Sequence, residues 1–415
     1  MSQSDPTAAS RRTLNPLLSP FKENPHPFYE RARAEEPVYY NEVLQAWIVT
    51  RHEDVATILR EPHRFSSLEA TKGGPPYPPE VLAILAEGTS RVPTLVDNDP
   101  PDHTRFRSLV NKAFTPRRIA EREPFIRELA NGLIDKFVND GQADIVEQFS
   151  HPLASMVIAD ILGVPREDIS KFKGFSDAVI GVLACQAPLP ELIEYAKGMV
   201  AFHRYLKAQL EAREKEPRDD MFTDLVQNAP KAEPPISMND LLGMLEQILF
   251  AGHETTSGLI AATVLHLLRN PDVLARARQD KSVLAAAIEE AARLETPVWA
   301  IYRITKEDVE LSGVRIPKGE RVQICYMSAN RDEAKFACPH ALDVSREHVT
   351  DHLAYGRGIH FCIGAPLARL EAKIALDLLF ERLPNLQLVP DQTISIVPSA
   401  TIRRLEHLLV RWDIG

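Results

Sequence analysis

The stretch AYGRGIHFCIGAPLARLEAKIALDLLFERL, Ala354 to Leu383, decides how this chain reads. It sets Cys362 on a glycine-rich loop directly before a helical pattern, expected over about residues 365–382, with Pro366 near its first turn, where proline is tolerated. The positive end of a helix and its free N–H groups stabilise a thiolate. Gly356, Gly358 and Gly364 permit positive φ and close backbone approach to a flat ligand. A thiolate with no neighbouring cysteine makes a poor zinc site, because zinc takes three or four protein ligands. It suffices as the axial ligand of a haem iron, whose porphyrin supplies the remaining in-plane donors. The competing reading is a buried structural cysteine, the usual fate of a lone one.

A second stretch works with the first. Ser237 and Asp240 form an S-x-x-D start resembling a capping box, and the pattern then runs without proline to Asn270. At 1.5 Å per residue such a helix is on the order of 45–50 Å long, so it must cross the core. Its middle is polar: Ala251-Gly252-His253-Glu254-Thr255-Thr256. At 100° per residue, Gln247, Phe250, Ala251, Glu254, Thr255 and Gly258 share one face. Two readings stand. The patch is a solvated stripe or a kink in which Thr255 bonds back to a carbonyl, or it is a local opening beside a bound group where Glu254 and Thr255 manage protons or water.

The rest of the chain bounds the answer. Its 415 residues, 44% hydrophobic and 26% charged, supply ample core, and no low-complexity linker splits them, so one large domain over 26–415 is expected after a loose segment 1–25. The net charge of −10 argues against general affinity for nucleic acid. Cys185, Cys325, Cys338 and Cys362 are widely spaced, with no C-x-x-C pair, which suits a reducing cytoplasm. The N-terminus has no apolar leader core, and no run of 18 uncharged apolar residues predicts a membrane span. Residues 38–60 read as two short strands and a helix, 66–98 as loop, about 100–293 as mostly helical with a break near 213–237, and 302–325 as β with turns at Gly313 and Gly319. Short strands close the chain. The fold class is mainly α with a minor β part.

Tyr355-Gly356-Arg357-Gly358-Ile359-His360-Phe361-Cys362-Ile363-Gly364 resembles the haem-binding loop of cytochrome P450, F-G-x-G-x-H-x-C-x-G, at every position but the first, where tyrosine stands for phenylalanine. Ala251–Thr256 is similar to that family's A-G-x-[DE]-T-T, Glu290-Ala291-Ala292-Arg293 to its E-x-x-R, and ANRDEAKFACPHALDVSRE to its meander, with Glu333 where proline is usual and Leu342-Asp343 where Phe-Asp is usual. DPPDHTRFRSLVNKAF resembles the helix that meets the haem propionates. The resemblance spans nearly the whole chain.

It implies a cytochrome P450-like fold, with the long central helix over a buried haem b. Cys362 would be the thiolate ligand of the iron. His103, Arg107, Arg303 and His360 would meet the propionates, and Ala251 would lie against the ring. Glu290 and Arg293, with Arg346 as third member, would hold the proximal side in shape. Glu254 and Thr255 would handle protons on the distal side. The implied activity is monooxygenation: one oxygen atom of O2 enters a C–H bond of a hydrophobic terpenoid, steroid, fatty acid or aromatic. Gln247, Phe250, Val298–Ile301 and parts of 66–96, 180–190 and 398–401 resemble substrate-contact segments. No flavin or iron–sulfur segment is seen. NAD(P)H would therefore serve only indirectly, through a ferredoxin or flavodoxin and its reductase, for a cytoplasmic, monomeric enzyme. The alternatives are a peroxide-driven peroxygenase, an oxidative-coupling enzyme or a non-catalytic haem-thiolate sensor.

Overall fold

The computed structural model describes residues 11–71, 76–89, 92–184, 187–399 and 401–414. Its spine is the helix Met238–Arg269. The expected capping box closes it: the Ser237 side chain accepts from the Asp240 N–H while the Asp240 carboxylate accepts from the Ser237 N–H, at 2.9 Å. Residues 256–265 are buried on every side, the mark of a helix that crosses a core. Each leucine there contributes roughly 1.5–3 kcal/mol by leaving water. Among the described residues this is the one helix long and apolar enough to cross a membrane, and 78% of its apolar window is buried inside the protein. The helices His151–Leu162, Lys281–Glu295 and Ala365–Arg382 pack around it. The last matches the range read from the sequence.

The main sheet has five strands, in the order Val38–Asn41, Ala46–Val49, Arg321–Ile324, Ile301–Thr305, Phe65–Ser66. All neighbours are antiparallel except Ala46–Val49 with Arg321–Ile324. Val309–Leu311 and Val314–Ile316 form a hairpin whose turn uses positive φ at Ser312 and Gly313. The C-terminal strand Leu409–Arg411 pairs with Gln387–Leu388 and with Gln142–Asp144, a strand inside the stretch expected to be helical. A π-helix, Val146–Ser150, follows it and runs straight into His151–Leu162. Two further helices fall where loop was expected, Pro79–Leu85 and Met221–Asn228. Asp220 caps the second by accepting from the Thr223 N–H, a local signal the break at 213–237 obscured.

Residues 1–10 of the N-terminal segment lie outside the described residues. Residues 11–25 form turns tied to the sheet. Asn41 donates to the carbonyls of Arg11 and Leu14, and Phe21 packs edge-on against Phe28 and Tyr29.

Candidate active site

The cysteine loop is fixed at both ends. The Cys362 N–H donates to the Tyr355 carbonyl at 2.8 Å, and Gly356 and Gly358 take φ of 66° and 70°, open to glycine at no steric cost. Gly358 lies so close to helix His52–Arg60 that a Cβ there would run into the Leu59 carbonyl. Gly364 departs from the expectation: its φ of −83° suits any residue. Burial pushes the Cys362 thiol up; the Gly364 and Ala365 amides, with Arg107 and Arg369, pull it back. Cys362 keeps exposed surface. Phe361 (43%) and Ile359 (36%) are also exposed, as is Ala251 on the otherwise buried central helix.

Two arginines and two histidines gather beside that loop. The rings of His103 and His360 lie 4.2 Å apart, and His360 Nε2 meets Ser67 Oγ at 2.8 Å. Burial, with Arg303, His103 and Arg107 nearby, pushes His360 down to about 2. Arg107 donates to the Phe361 carbonyl at 2.7 Å. Arg303 is buried, and among the described residues its guanidinium has one hydrogen-bond acceptor, the Tyr302 carbonyl. His103 Nε2 is buried with no partner. Asp97 and Asp99 approach Arg303, but they already accept from Thr71 and Ser67. A buried guanidinium with spare donors, beside an unpartnered imidazole nitrogen, fits a ligand bearing carboxylates. A lone, exposed cysteine at a helix start fits iron in a planar macrocycle. The residues present therefore fit a haem. Ser67, which holds His360, was hidden in a stretch without periodicity.

Beneath the loop the E-x-x-R pair is fully buried. Arg293 donates to both oxygens of Glu290, at 2.7 and 2.9 Å, and to the carbonyls of Asn330, Pro339 and Ala341. Arg346 joins Glu290 at 3.0 Å, the third member the sequence suggested. The neighbouring Glu289, which sequence reasoning passed over, takes a two-pronged bond from Arg369 at 2.5 and 2.8 Å and meets His352 at 3.1 Å. Arg369 lies 4.3 Å over the ring of Tyr355, the residue in place of phenylalanine, whose hydroxyl is buried and unpartnered. Glu333, in place of proline, binds buried Arg33 at 2.7 and 3.1 Å and ties helix His26–Glu35 to the meander.

On the central helix, Thr255 Oγ1 donates to the Ala251 carbonyl at 2.6 Å, the back-bond considered above. Glu254 is buried. Arg404 Nε donates to its Oε2 at 2.7 Å, and His151 Nε2 stands 3.5 Å from Oε1. Burial alone raises this carboxyl; His151 and Arg404 outweigh it and hold the group down at about 2. Gln247 Oε1 accepts from the Val96 N–H at 3.3 Å, and the Trp299 indole donates to the Ser399 carbonyl at 3.1 Å, so two of the suggested substrate segments are tied to the helix and sheet. Within the 180–190 segment, Cys185 and Gln186 lie outside the described residues.

The family model Cytochrome P450 matches residues 79–399. The chain is 36% identical over 413 residues to cytochrome P450 CYP107DY1 of Priestia megaterium, covering 96% of this chain and 98% of that one. It is 37% identical over 376 residues to the vitamin D(3) 25-hydroxylase of Pseudonocardia autotrophica, covering 89% and 88%. The crystal structure of CYP109E1 from Bacillus megaterium in complex with corticosterone superposes with a TM-score of 0.82 at 35% identity, covering 94% and 99%. The chain belongs to the cytochrome P450 family, and it is an oxidoreductase of the haem-thiolate monooxygenase class.

Proposed function

We propose that this enzyme inserts one oxygen atom from O2 into a C–H bond of a large hydrophobic substrate of steroid or secosteroid type. Electrons come one at a time from a separate ferredoxin or flavodoxin, fed from NAD(P)H by a reductase. The observation that carries the reading is the pairing of Cys362, at a helix start, with the under-used nitrogen donors of His103 and Arg303. The substrate class follows from the vitamin D(3) hydroxylase and the corticosterone complex among the similar proteins, together with the apolar Phe250, Val298 and Trp299. In this reading the enzyme works as a cytoplasmic monomer.

The haem, when bound, supplies the activation of O2 and the oxidation of the C–H bond. The chain's own residues do the rest. Cys362 holds the iron as a thiolate, with the Gly364 and Ala365 amides supporting its charge. Arg107, Arg303, His103 and His360 would hold the haem carboxylates through their N–H groups. Ala251, small and exposed on the central helix, would leave room for the ring. Thr255 Oγ1 holds a proton and hands it to the distal side, releasing its bond to the Ala251 carbonyl as it turns. Glu254 passes protons from outside toward Thr255.

The test is turnover of the holoenzyme with ferredoxin, reductase and NAD(P)H on a panel of steroids, secosteroids and fatty acids under isotopically labelled O2. A product carrying one labelled oxygen from the steroid group is expected. Product formed with hydrogen peroxide alone, and none with the electron-transfer partners, overturns the reading.

A further inference from the structure

Glu254 does not stand alone. The π-helix Val146–Ser150 inserts an extra residue per turn just before His151, and such insertions re-aim the side chains that follow. Two contacts then lock this segment against the central helix. Ser150 Oγ and Ser257 Oγ lie 3.0 Å apart, and Gly252 approaches Ile158 so closely that a Cβ would stand 2.8 Å from its Cδ1. Between them His151 Nε2 faces Glu254 Oε1 at 3.5 Å. That distance is an ionic contact, too long for a hydrogen bond, and Oε1 is otherwise buried without a partner. The His253 ring closes the other side, 3.9 Å from His151, with its Nδ1 against Ser176 Oγ at 2.5 Å.

We propose that His151 is the group that carries protons to Glu254, the two forming a buried imidazole–carboxylate dyad on the flank of the central helix. The proposal rests on the reading of Glu254 as part of the proton supply. Geometry gives the order of transfer. The His151 imidazolium passes its Nε2 proton to Glu254 Oε1, leaving a neutral imidazole and a neutral carboxyl. The carboxyl passes that proton on toward Thr255 and returns to carboxylate. His151 then regains a proton from solvent, since its side chain keeps 8% of its surface while His253 keeps none. A carboxyl held near 2 is a carboxylate at neutral pH and carries no proton of its own, so each proton must reach it from a neighbour, and His151 is the group that faces its free oxygen. His253, pushed down to about 3 by burial, stays neutral and serves as a wall. The charged and titratable groups facing His151 among the described residues are Glu254 and His253 from the central helix and Arg404, bound to Glu254 Oε2, from the C-terminal segment. His151, His253 and Glu254 also bring donor atoms within 4.8 Å of one another. A metal there would meet the Arg404 guanidinium already on the carboxylate, which favours proton traffic.

The experiment has two arms. In the first, holoenzyme, His151→Phe and Glu254→Gln are compared for coupled product formation in H2O and D2O. H151F is expected to slow product formation about tenfold or more with a larger solvent isotope effect. The substrate-binding spectral shift is expected to stay unchanged. If E254Q is impaired and H151F is not, the dyad is wrong while the reading of Glu254 stands. If neither is impaired, that reading falls as well. In the second arm, histidine-labelled holoenzyme in its diamagnetic ferrous–CO form is examined by NMR, so the result does not depend on whether H151F folds. The His151 Nε2 resonance is expected to shift in E254Q, because the carboxylate facing it at 3.5 Å is lost. An unchanged resonance overturns the proposal.

Discussion

In the Glu290–Arg293–Arg346 network every charged group of Glu290 and Arg293 has a partner; around His103 and Glu254 several buried polar atoms have none. Glu290 accepts from Arg293, Arg346 and the Asp343 amide, and each outer nitrogen of Arg293 is engaged. By contrast His103 Nε2, His253 Nε2 and Glu254 Oε1 are buried and unpartnered. A buried polar group left unpaired costs about 1–3 kcal/mol, so such atoms persist where something other than stability keeps them. The contrast separates scaffold from machinery. The satisfied region holds a shape, and the unsatisfied region is built to meet something else.

Breaking the satisfied region has the largest expected effect. Arg293→Ala leaves Glu290 charged and buried with only Arg346, and should cost about 3–5 kcal/mol. Chemical denaturation, or failure to accumulate folded protein, reads this out. A loss below about 1 kcal/mol would show the network to be dispensable.

Glu289 tests the same region by pH. Burial raises this carboxyl, but Arg369 and His352 hold it down at about 2, from an ordinary value of 4.5. Because the folded value is depressed, the stabilisation is complete above about 4.5 and is lost as pH falls toward 2. The shift corresponds to roughly 3 kcal/mol. Glu289→Gln should therefore be less stable than the wild type at neutral pH, and the gap should close in acid. A gap independent of pH would assign the loss to packing.

In the unsatisfied region, Arg303→Leu removes donors that the fold itself leaves idle. It should weaken haem retention by about 1.5–3 kcal/mol, measured by haem transfer to an acceptor protein, with little change in the stability of the haem-free chain. Equal retention would place the propionates elsewhere. Thr255→Ala has the smallest structural cost, about 1 kcal/mol at most from one back-bond. Its effect should appear in coupling: NAD(P)H consumption continues while peroxide replaces product. Unchanged coupling would limit Thr255 to its bond with the Ala251 carbonyl.

The sequence was most legible where chemistry and local structure coincide. The cysteine loop, the helix after it and the capped central helix depend on glycine, proline and cap residues, whose signals are local. The Glu290–Arg293 pair is legible because i, i+3 residues share a helix face. Ser67, Glu289, His151 and Arg404 were not, since their partners lie 293, 80, about 100 and 150 positions away in the chain. The strand Gln142–Asp144 was missed for the same reason: three residues carry no periodicity, and its partner is at the C-terminus. Helical spacing placed Glu254 with Ala251 and Thr255, but only the fold shows that its carboxylate meets His151 and Arg404.

The central claim is that Cys362 sulfur is the protein's bond to the haem iron, and the absorption spectrum of the ferrous–CO complex tests it most directly. Wild-type protein should show the strongly red-shifted Soret band of thiolate ligation, and Cys362→Ser should lose it while retaining haem. A band that survives in the variant, or never appears in the wild type, would contradict the claim.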